Sequence, residues 1–344
     1  MKLSIIIVCW NDLEVVVECL KSVYSETGAI DFEVIVSDNG STDGSPEYIR
    51  QHFPKVRVIE NRANLAYAQG NNVGIRVAQG EYVLLLNPDT IIHDRALEKL
   101  VSYAEGHPEA AAFGCRVLNP DGSFQDPGRP LPTVRGQLVA ALCMRWLGQL
   151  STRFESDLYP GWDGHSERQI GVQCGCCILV RSDVLKALGG FDESFFYHKD
   201  EVDLCRRIWN SGRCILFYPK AEITHLGGQS VGRFPIRFAV EAQRSLYRYF
   251  HKHHGIRGLV RVRQVTLLHF YVRWIGYRLF NLVKPSASNS NRLNMYKVVI
   301  DWHKRTDPRR FIERGEEADV GYPAFSRATS GAAHGPSEVS VTQP

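Results

Sequence analysis

The sequence predicts an α/β fold with a mostly parallel central sheet and a helical C-terminal extension. From residue 3 to about residue 115, short apolar runs alternate with helix-like stretches, as they do in βαβ units. The apolar runs do not alternate with polar residues, which indicates that helices cover both faces of the sheet. A chain of 344 residues is long enough for one large domain with an appendage.

The predicted elements follow from this alternation. Strands are expected over Leu3 to Cys9, Phe32 to Ser37, Val56 to Ile59, Tyr82 to Leu86, Ala111 to Cys115 and Val172 to Arg181. Helices are expected over Leu13 to Tyr24, Pro46 to His52, Ala66 to Ala78, Arg95 to Glu105, Asp183 to Leu188 and Glu201 to Asn210. The stretches Asn119 to Pro132 and Leu138 to Gly164 lack a clear period and are interpreted as loops and lids.

Composition suggests three regions. Residues 1–232 form the main domain, and residues 233–312 form a helical extension with a break at Gly255. Residues 313–344 are rich in Gly, Ala, Ser, Glu and Pro, so they are predicted to be a disordered tail.

Overall composition narrows the class of protein. The apolar fraction of 44%, the charged fraction of 23% and the net charge of +4 are ordinary for a globular protein and argue against a long nucleic-acid surface. Nine cysteines are present, most of them inside apolar runs, and no secretory signal precedes them. A reducing cytoplasm is therefore the expected compartment.

A first polar segment follows the second strand, at Ser37-Asp38-Asn39-Gly40-Ser41-Thr42-Asp43-Gly44. Open α/β sheets bind ligands at the carboxyl ends of their strands, so Asp38 is placed to accept hydrogen bonds from a nucleobase or ribose. The alternative is a plain turn in which Asp43 or Ser45 caps the next helix.

A second polar segment, Asn87-Pro88-Asp89-Thr90, follows the fourth strand and brings one carboxylate to the same edge. A hard cation bound there would neutralise the phosphates of a nucleotide diphosphate and stabilise the leaving group. The alternative is that Asp89 only forms a turn after proline.

A carboxylate-rich segment begins the helix near residue 201. Asp200, Glu201 and Asp203 either complement the helix dipole, or one of them is a general base that deprotonates a hydroxyl group. Further on, His225 lies beside a glycine pair. A lone histidine is usually structural, so it becomes a candidate metal ligand only if the fold brings it to Asp89.

Together these segments resemble family 2 glycosyltransferases of the GT-A fold, particularly the bacterial subgroup with rhamnosyl- and galactofuranosyltransferases. The resemblance covers roughly residues 3 to 232 and depends on five motifs in the family's order. They are Ser4-Ile5-Ile6-Ile7-Val8-Cys9-Trp10-Asn11, Val36 to Gly44, Asn64 to Gly74, Asn87-Pro88-Asp89, and Gly189-Gly190-Phe191-Asp192-Glu193 with Asp200 to Arg207.

The resemblance implies a role for individual residues. Donor binding is assigned to Asp38, Asn64, Asn87 and Asp89. Mg²⁺ or Mn²⁺ is assigned to Asp89 and His225, since Asn87 replaces the first aspartate of the family's DxD motif. The acceptor side is assigned to Asp192, Phe195 and Asp203. Glu201 matches the general base, with Asp200 as the alternative because the family's usual Glu-Asp order is inverted here.

The implied reaction is an inverting transfer of a sugar, with rhamnose as the first expectation. The donor would be dTDP-rhamnose or a UDP-sugar, and the acceptor a saccharide hydroxyl, linked to polyprenyl diphosphate, in cell-envelope polysaccharide synthesis. A sugar nucleotidyltransferase is the rival enzyme, but Val8 to Asp12 contains none of the glycine that its phosphate loop requires. The alternative that is not an enzyme is a catalytically silent protein that binds carbohydrate or nucleotide sugar.

Two further features have open interpretations. Cys174-Gly175-Cys176-Cys177 has the spacing of a redox or zinc site, but it lies on a predicted strand without a second cysteine pair, where cysteine packs as a small apolar residue. Val262 to Val283 is nearly long enough to span a bilayer, but arginines interrupt it, so no span is predicted.

The helical extension is instead expected to touch the anionic inner face of the cell membrane through Arg and Lys. Packing on the main domain and packing in a homodimer are the alternatives. The interrupting arginines spread around the helix at about 100° per residue, so they do not form one polar face. They are Arg263, Arg273 and Arg278, and the aromatic residues available at the interface are Tyr271, Trp274 and Tyr277.

Overall fold

The computed structural model describes residues 1–126, 128–144, 151, 156, 158–227 and 235–321. The described strands are β1 (Leu3–Cys9), β2 (Phe32–Asp38), β3 (Val56–Glu60), β4 (Tyr82–Leu86), β5 (Thr90–Ile92), β6 (Ala110–Leu118), β7 (Phe124–Asp126), β8 (Arg168–Gln169), β9 (Cys177–Arg181) and β10 (Cys214–His225). They form one sheet in the order β3-β2-β1-β4-β9-β6-β10-β5, with β7 beside β6 and β8 beside β10. The predicted α/β class is confirmed.

The described helices alternate with these strands and then continue alone. They are α1 (Leu13–Glu26), α2 (Ser45–His52), α3 (Ala66–Val77), α4 (Ala96–Glu105), α5 (Val134–Ala141), α6 (Ser182–Ala187), α7 (Asp200–Asn210), α8 (Pro235–Val283), α9 (Ala287–Arg305) and α10 (Pro308–Arg314). The four helices predicted between residues 13 and 105 are all present, with ends that differ by at most a few residues.

Both faces of the sheet are covered, as the unbroken apolar runs predict. Ile5 and Ile7 of β1 belong to one core cluster, with side chains from α1 and α4. Ile6 points the other way and belongs to a second cluster, with side chains from α3, α7 and α8. On that side, Gly74 of α3 lies so close to β1 that a Cβ there would lie 2.5 Å from the Cγ2 of Ile6.

The strand directions decide which residues meet. β1 pairs in parallel with β2 and β4, and β2 pairs in parallel with β3. β9 runs antiparallel between β4 and β6, and β10 is parallel to β6. The carboxyl ends of β2, β4 and β10 therefore share one edge with the amino end of β9. This edge brings together Asp38, Asn87, His225 and the turn before Cys177.

Two parts of the sheet differ from the prediction. The strand expected from Val172 begins only at Cys177, because the chain turns at Cys174, whose carbonyl accepts a hydrogen bond from the Cys177 amide at 3.4 Å. β10 was not predicted, since Pro219 and Lys220 interrupt its apolar character and its pairing with β6 shifts register between Tyr218 and Glu222. β7 lies in a stretch that was interpreted as loops and lids, and α5 overlaps the other such stretch from Leu138 to Ala141.

The C-terminal helices add to the second core cluster. α8 is kinked at Gly255 (φ 64°), which confirms the predicted break. The ordered chain continues past the predicted limit at residue 312, since Glu317 accepts hydrogen bonds from Arg244 Nε at 2.6 Å and Trp302 Nε1 at 2.9 Å. The boundary at 232 and residues 322–344 lie outside the described residues. Among the helices that are described, none combines the length and apolar character needed to cross a bilayer.

Candidate active site

The end of β2 forms a turn with one uncommitted carboxylate oxygen. Asp38 is 2% exposed, and its Oδ2 accepts hydrogen bonds from the amides of Gly40 and Ser41, each at 3.0 Å. Its Oδ1 is buried without a hydrogen-bond partner among the described residues. A buried oxygen of this kind is costly unless a ligand satisfies it. The turn and the ligand-binding role are therefore compatible, since one oxygen of Asp38 shapes the turn and the other can accept a hydrogen bond from a ligand.

Asn64 also shapes this side of the edge. Its side-chain oxygen accepts a hydrogen bond from the Ala66 amide at 2.9 Å, at the entry to α3. Ala66 has φ 61° and Arg62 has φ 55°. Two non-glycine residues with positive φ in one short loop are uncommon, and such strain concentrates at ligand sites.

The fold brings His225 to Asp89. β10 pairs with β5 so that His225 lies opposite Thr90, next to Asp89 in the chain. The Nε2 atom of His225 lies 3.2 Å from Oδ1 of Asp89 and 3.4 Å from Nδ2 of Asn87. The condition that makes this histidine a candidate ligand is thus met, and all three predicted residues lie together.

Gln125, which the sequence analysis did not single out, orients this histidine. Its Oε1 lies 2.7 Å from the Nδ1 of His225, and its Nε2 donates to the carbonyl of His225 and to Asn119. When the Nδ1–H group donates to Gln125, the Nε2 lone pair is left facing Asp89. Burial would lower the pKa of His225, but the hydrogen bond and charge of Asp89 raise it above its usual value.

This arrangement fits a divalent cation. A neutral Nε2 and a carboxylate oxygen both carry lone pairs, so a proton or a cation must lie between them. No group of three or more His, Cys, Asp or Glu side chains suited to a metal occurs within the described residues. A cation held by two protein ligands would take its other ligands from phosphate and water, which is how Mg²⁺ usually binds.

The turn from Cys174 to Cys177 links the two halves of the site. The Asn87 amide donates to the carbonyl of Cys176 at 2.9 Å, and the Tyr67 hydroxyl donates to the carbonyl of Gly175 at 2.6 Å. A methyl group placed on Gly175 would lie 3.5 Å from the Cγ of Glu201. The start of α7 and the end of β4 therefore meet at this turn.

The cysteines of this turn are free thiols, as are the other six in the chain. Cys176 shares a hydrogen bond with Cys174, and Cys177 shares one with Cys115 on β6. Contrary to expectation, Cys174 and Cys176 lie in a turn at the site and only Cys177 lies on the strand.

The start of α7 holds two neighbouring carboxyl groups whose pKa values shift in opposite directions. Asp200 is 4% exposed, and burial together with the charge of Glu201 raises its pKa well above the usual value. Burial works against ionisation of Glu201 as well, but the hydrogen bond with Asp200 and the charge of nearby Lys199 lower its pKa. His198 and Lys199 just before them have φ of 58° and 70°. Strained non-glycine backbone marks this helix start as a candidate functional position.

Three residues assigned to the acceptor side have protein partners instead. Asp203 is 0% exposed, and its oxygens bind Arg207, Lys252 and His253 at 2.7 to 2.8 Å. Asp192 binds Lys252 at 2.6 Å, and Phe195 is buried in the second core cluster. These contacts join α7 to α8, and we therefore propose a structural role for the three residues in place of acceptor binding.

We expect Asp203→Asn to lower the free energy of unfolding by about 3 to 5 kcal/mol, because it removes a fully buried charge that compensates Arg207 and Lys252. Burial alone would raise the pKa of Asp203, but His253, Lys252 and Arg207 lower it to about 2. The stabilisation should therefore be complete above pH 4 and lost as the pH falls toward 2. Urea unfolding from pH 7 to pH 3 would measure it.

The matched control is Asp94→Asn, which removes an exposed carboxylate that pairs with Lys99. An exposed pair contributes little, so the unfolding midpoint should stay close to that of the wild type. Equal effects of the two substitutions would contradict the structural role of Asp203.

A mostly parallel sheet with polar and carboxylate side chains at the carboxyl ends of its strands is the architecture of the GT-A glycosyltransferases. The sequence profile of glycosyl transferase family 2 matches residues 4–189, more than half of the chain. The chain belongs to this family, and it is a glycosyltransferase.

Individual relatives agree with this assignment. The chain is 32% identical over 277 residues to the N-acetylglucosaminyl-diphospho-decaprenol L-rhamnosyltransferase of Mycobacterium tuberculosis, covering 73% of this chain and 88% of that protein. It is 24% identical to the rhamnosyltransferase WbbL of Escherichia coli K12, over 56% of this chain and 72% of that protein.

Solved structures share the fold. The mannosyltransferase PcManGT from Pyrobaculum calidifontis, in complex with GDP-Man and Mn²⁺, is similar with a TM-score of 0.54 and 16% identity, over 88% of this chain and 84% of that chain. GalNAc-T7 with UDP, GalNAc and Mn²⁺ is similar with a TM-score of 0.53 and 16% identity, over 75% and 51% of the two chains.

Proposed function

We propose that this glycosyltransferase moves L-rhamnose from dTDP-rhamnose to N-acetylglucosamine linked to a polyprenyl diphosphate, with inversion at the anomeric carbon. The observation that carries the proposal is the match to the mycobacterial L-rhamnosyltransferase, whose name gives that acceptor class and of which the chain covers 88%. The product would serve cell-envelope polysaccharide synthesis.

We further propose that Asp38 and Asn64 lie at the nucleoside end of the donor, and that Asn87, Asp89 and His225 lie at its diphosphate. Support comes from the unsatisfied Oδ1 of Asp38 and from the facing lone pairs of Asp89 and His225. Mn²⁺ or Mg²⁺ bound by Asp89 and His225 would neutralise the charge that develops on the departing nucleoside diphosphate. Both structural neighbours named above were solved with Mn²⁺.

Glu201 is the proposed general base. Its pKa is lowered, which favours the ionised form that can accept the proton of the acceptor hydroxyl, whereas the pKa of Asp200 is raised well above its usual value. Asp200 is in this role a positioning residue, since the hydrogen bond between the two carboxyl groups orients Glu201. The Tyr67 contact with Gly175 keeps the turn beside Glu201 in place.

Transfer assays test this proposal. With Mn²⁺ and a synthetic polyprenyl-diphosphate-linked N-acetylglucosamine, we expect the full-length protein to use dTDP-rhamnose in preference to UDP-sugars, and NMR of the product should show inversion. Preference for a UDP-sugar would overturn the donor assignment. Release of pyrophosphate would indicate a nucleotidyltransferase, and donor binding without turnover would indicate a silent binding protein.

A further inference from the structure

The second half of α8, after the kink at Gly255, carries a stripe of exposed apolar side chains. They recur three or four residues apart, which places them on one face of the helix. Their exposure rises along the helix from 38% at Leu268 to 60% at Leu279 and 75% at Leu282. The stripe consists of Leu268, Val272, Ile275, Leu279 and Leu282.

The opposite face of α8 packs on α9. Arg263 donates from Nε to the carbonyl of His303 at 2.9 Å, and the rings of Phe270 and Tyr277 both lie 5.8 Å from that of Tyr296. At about 100° per residue, these residues lie roughly half a turn from Leu268. The interrupting arginines thus do not share one role, since Arg263 is bound within the protein and Arg278 is exposed.

The charged residues in the chain segment that contains the stripe have one sign. Residues 242–300 contain eleven Lys and Arg residues and no Asp or Glu. Arg257 and Arg261 are exposed and continue the same helix face toward the kink. Arg278 and Lys284 are exposed near its apolar end. The face therefore runs from a cationic end to an apolar end.

We propose that this stripe docks on an anionic lipid surface, with Leu268 to Leu282 at the boundary of headgroups and acyl chains and the arginines on the headgroups. Such a surface offers an apolar phase for the exposed apolar side chains and negative charge for the exposed arginines. A second copy of the chain would instead bring two cation-rich faces together, with no carboxylate in residues 242–300 to offset the repulsion.

The docking face is joined to the proposed base. Lys252 and His253, which precede the kink in α8, bind Asp203 on α7, and Glu201 lies two residues before it. Lipid docking would therefore hold α7, through α8, at the membrane that carries a lipid-linked acceptor. This last step rests on the proposed function, whereas the docking itself does not.

Vesicle co-sedimentation of the full-length protein tests the proposal without any turnover measurement. At low salt we expect binding to phosphatidylcholine vesicles that contain phosphatidylglycerol, roughly tenfold or more tighter than to phosphatidylcholine alone. The double variant Ile275→Glu/Leu279→Glu should lose binding to both. Arg257→Ser/Arg261→Ser should lose the preference for phosphatidylglycerol and its dependence on salt.

The matched control is Tyr48→Glu, which places a carboxylate on an exposed aromatic residue of α2 and should leave vesicle binding unchanged. Thermal unfolding would show that all variants are folded. The proposal is overturned if the wild-type protein ignores anionic vesicles, or if Ile275→Glu/Leu279→Glu binds them normally. It is also overturned if light scattering shows a dimer that this variant dissociates while vesicle binding is absent.

Discussion

Glu201→Gln is expected to lower kcat by about 10² to 10⁴-fold, which is the usual contribution of a general base. The amide keeps the shape of the side chain and its place against Gly175, but it cannot accept the proton of the acceptor hydroxyl. Donor affinity should stay near that of the wild type, because Glu201 lies on α7 and not at the strand ends assigned to the nucleotide. Single-turnover kinetics with saturating donor would measure the loss.

The neighbouring substitution Asp200→Asn is the matched control. The pKa of Asp200 is raised and its carboxyl group shares a hydrogen bond with Glu201, in which an asparagine amide can act as the donor. We therefore expect Asp200→Asn to retain most of the rate and Asp200→Ala to retain less. If Asp200→Asn abolished turnover while Glu201→Gln kept it, the base would be Asp200.

Asp89→Asn is expected to lower both the affinity for Mn²⁺ and the turnover by about 10²-fold or more, because a metal ion contributes several kcal/mol to stabilising the leaving group. The substitution removes a negative charge that faces His225 and leaves the shape nearly unchanged. Removal of the metal with EDTA should have a similar effect on the wild-type protein and little further effect on the variant. Calorimetric titration of Mn²⁺ in the presence of dTDP would measure the affinity.

Gln125→Ala provides a graded comparison. Gln125 hydrogen-bonds to His225 and Asn119, so its loss should weaken metal binding through the orientation of the imidazole ring. Such supporting residues typically contribute 10 to 100-fold. Turnover that is insensitive to EDTA, or a larger effect for Gln125→Ala than for Asp89→Asn, would contradict the proposed metal site.

The N-terminal half of the fold could be predicted because its strands are short, apolar and buried on both sides. Runs such as Tyr82 to Leu86 predict a strand that is buried on both faces, since a partly exposed strand would also contain polar residues. Asp38 and Asp89 could be singled out for the same reason, as each follows such a run directly. Their place at one edge then follows from parallel pairing.

The later part was harder to predict because its order depends on distant contacts. β10 contains a proline and pairs irregularly, and its formation depends on β6, which lies about a hundred residues earlier in the chain. Gln125 is an ordinary polar residue in a loop-like stretch, and only its contact with His225 reveals its role. A cluster of acids could equally indicate a ligand site or an internal ion pair. The contacts of Asp203 with Lys252 and His253, which lie on another helix, indicate the internal ion pair.

The contact of the buried Asp203 with Lys252 and His253 has a consequence for how this enzyme diversifies. The helix that carries the proposed base takes part of its counter-charge from the C-terminal extension, so we expect the two segments to change together. A lineage that exchanged the extension for one suited to another lipid environment would also need to replace Asp203. We therefore expect the proposed lipid contact and the proposed base to vary together.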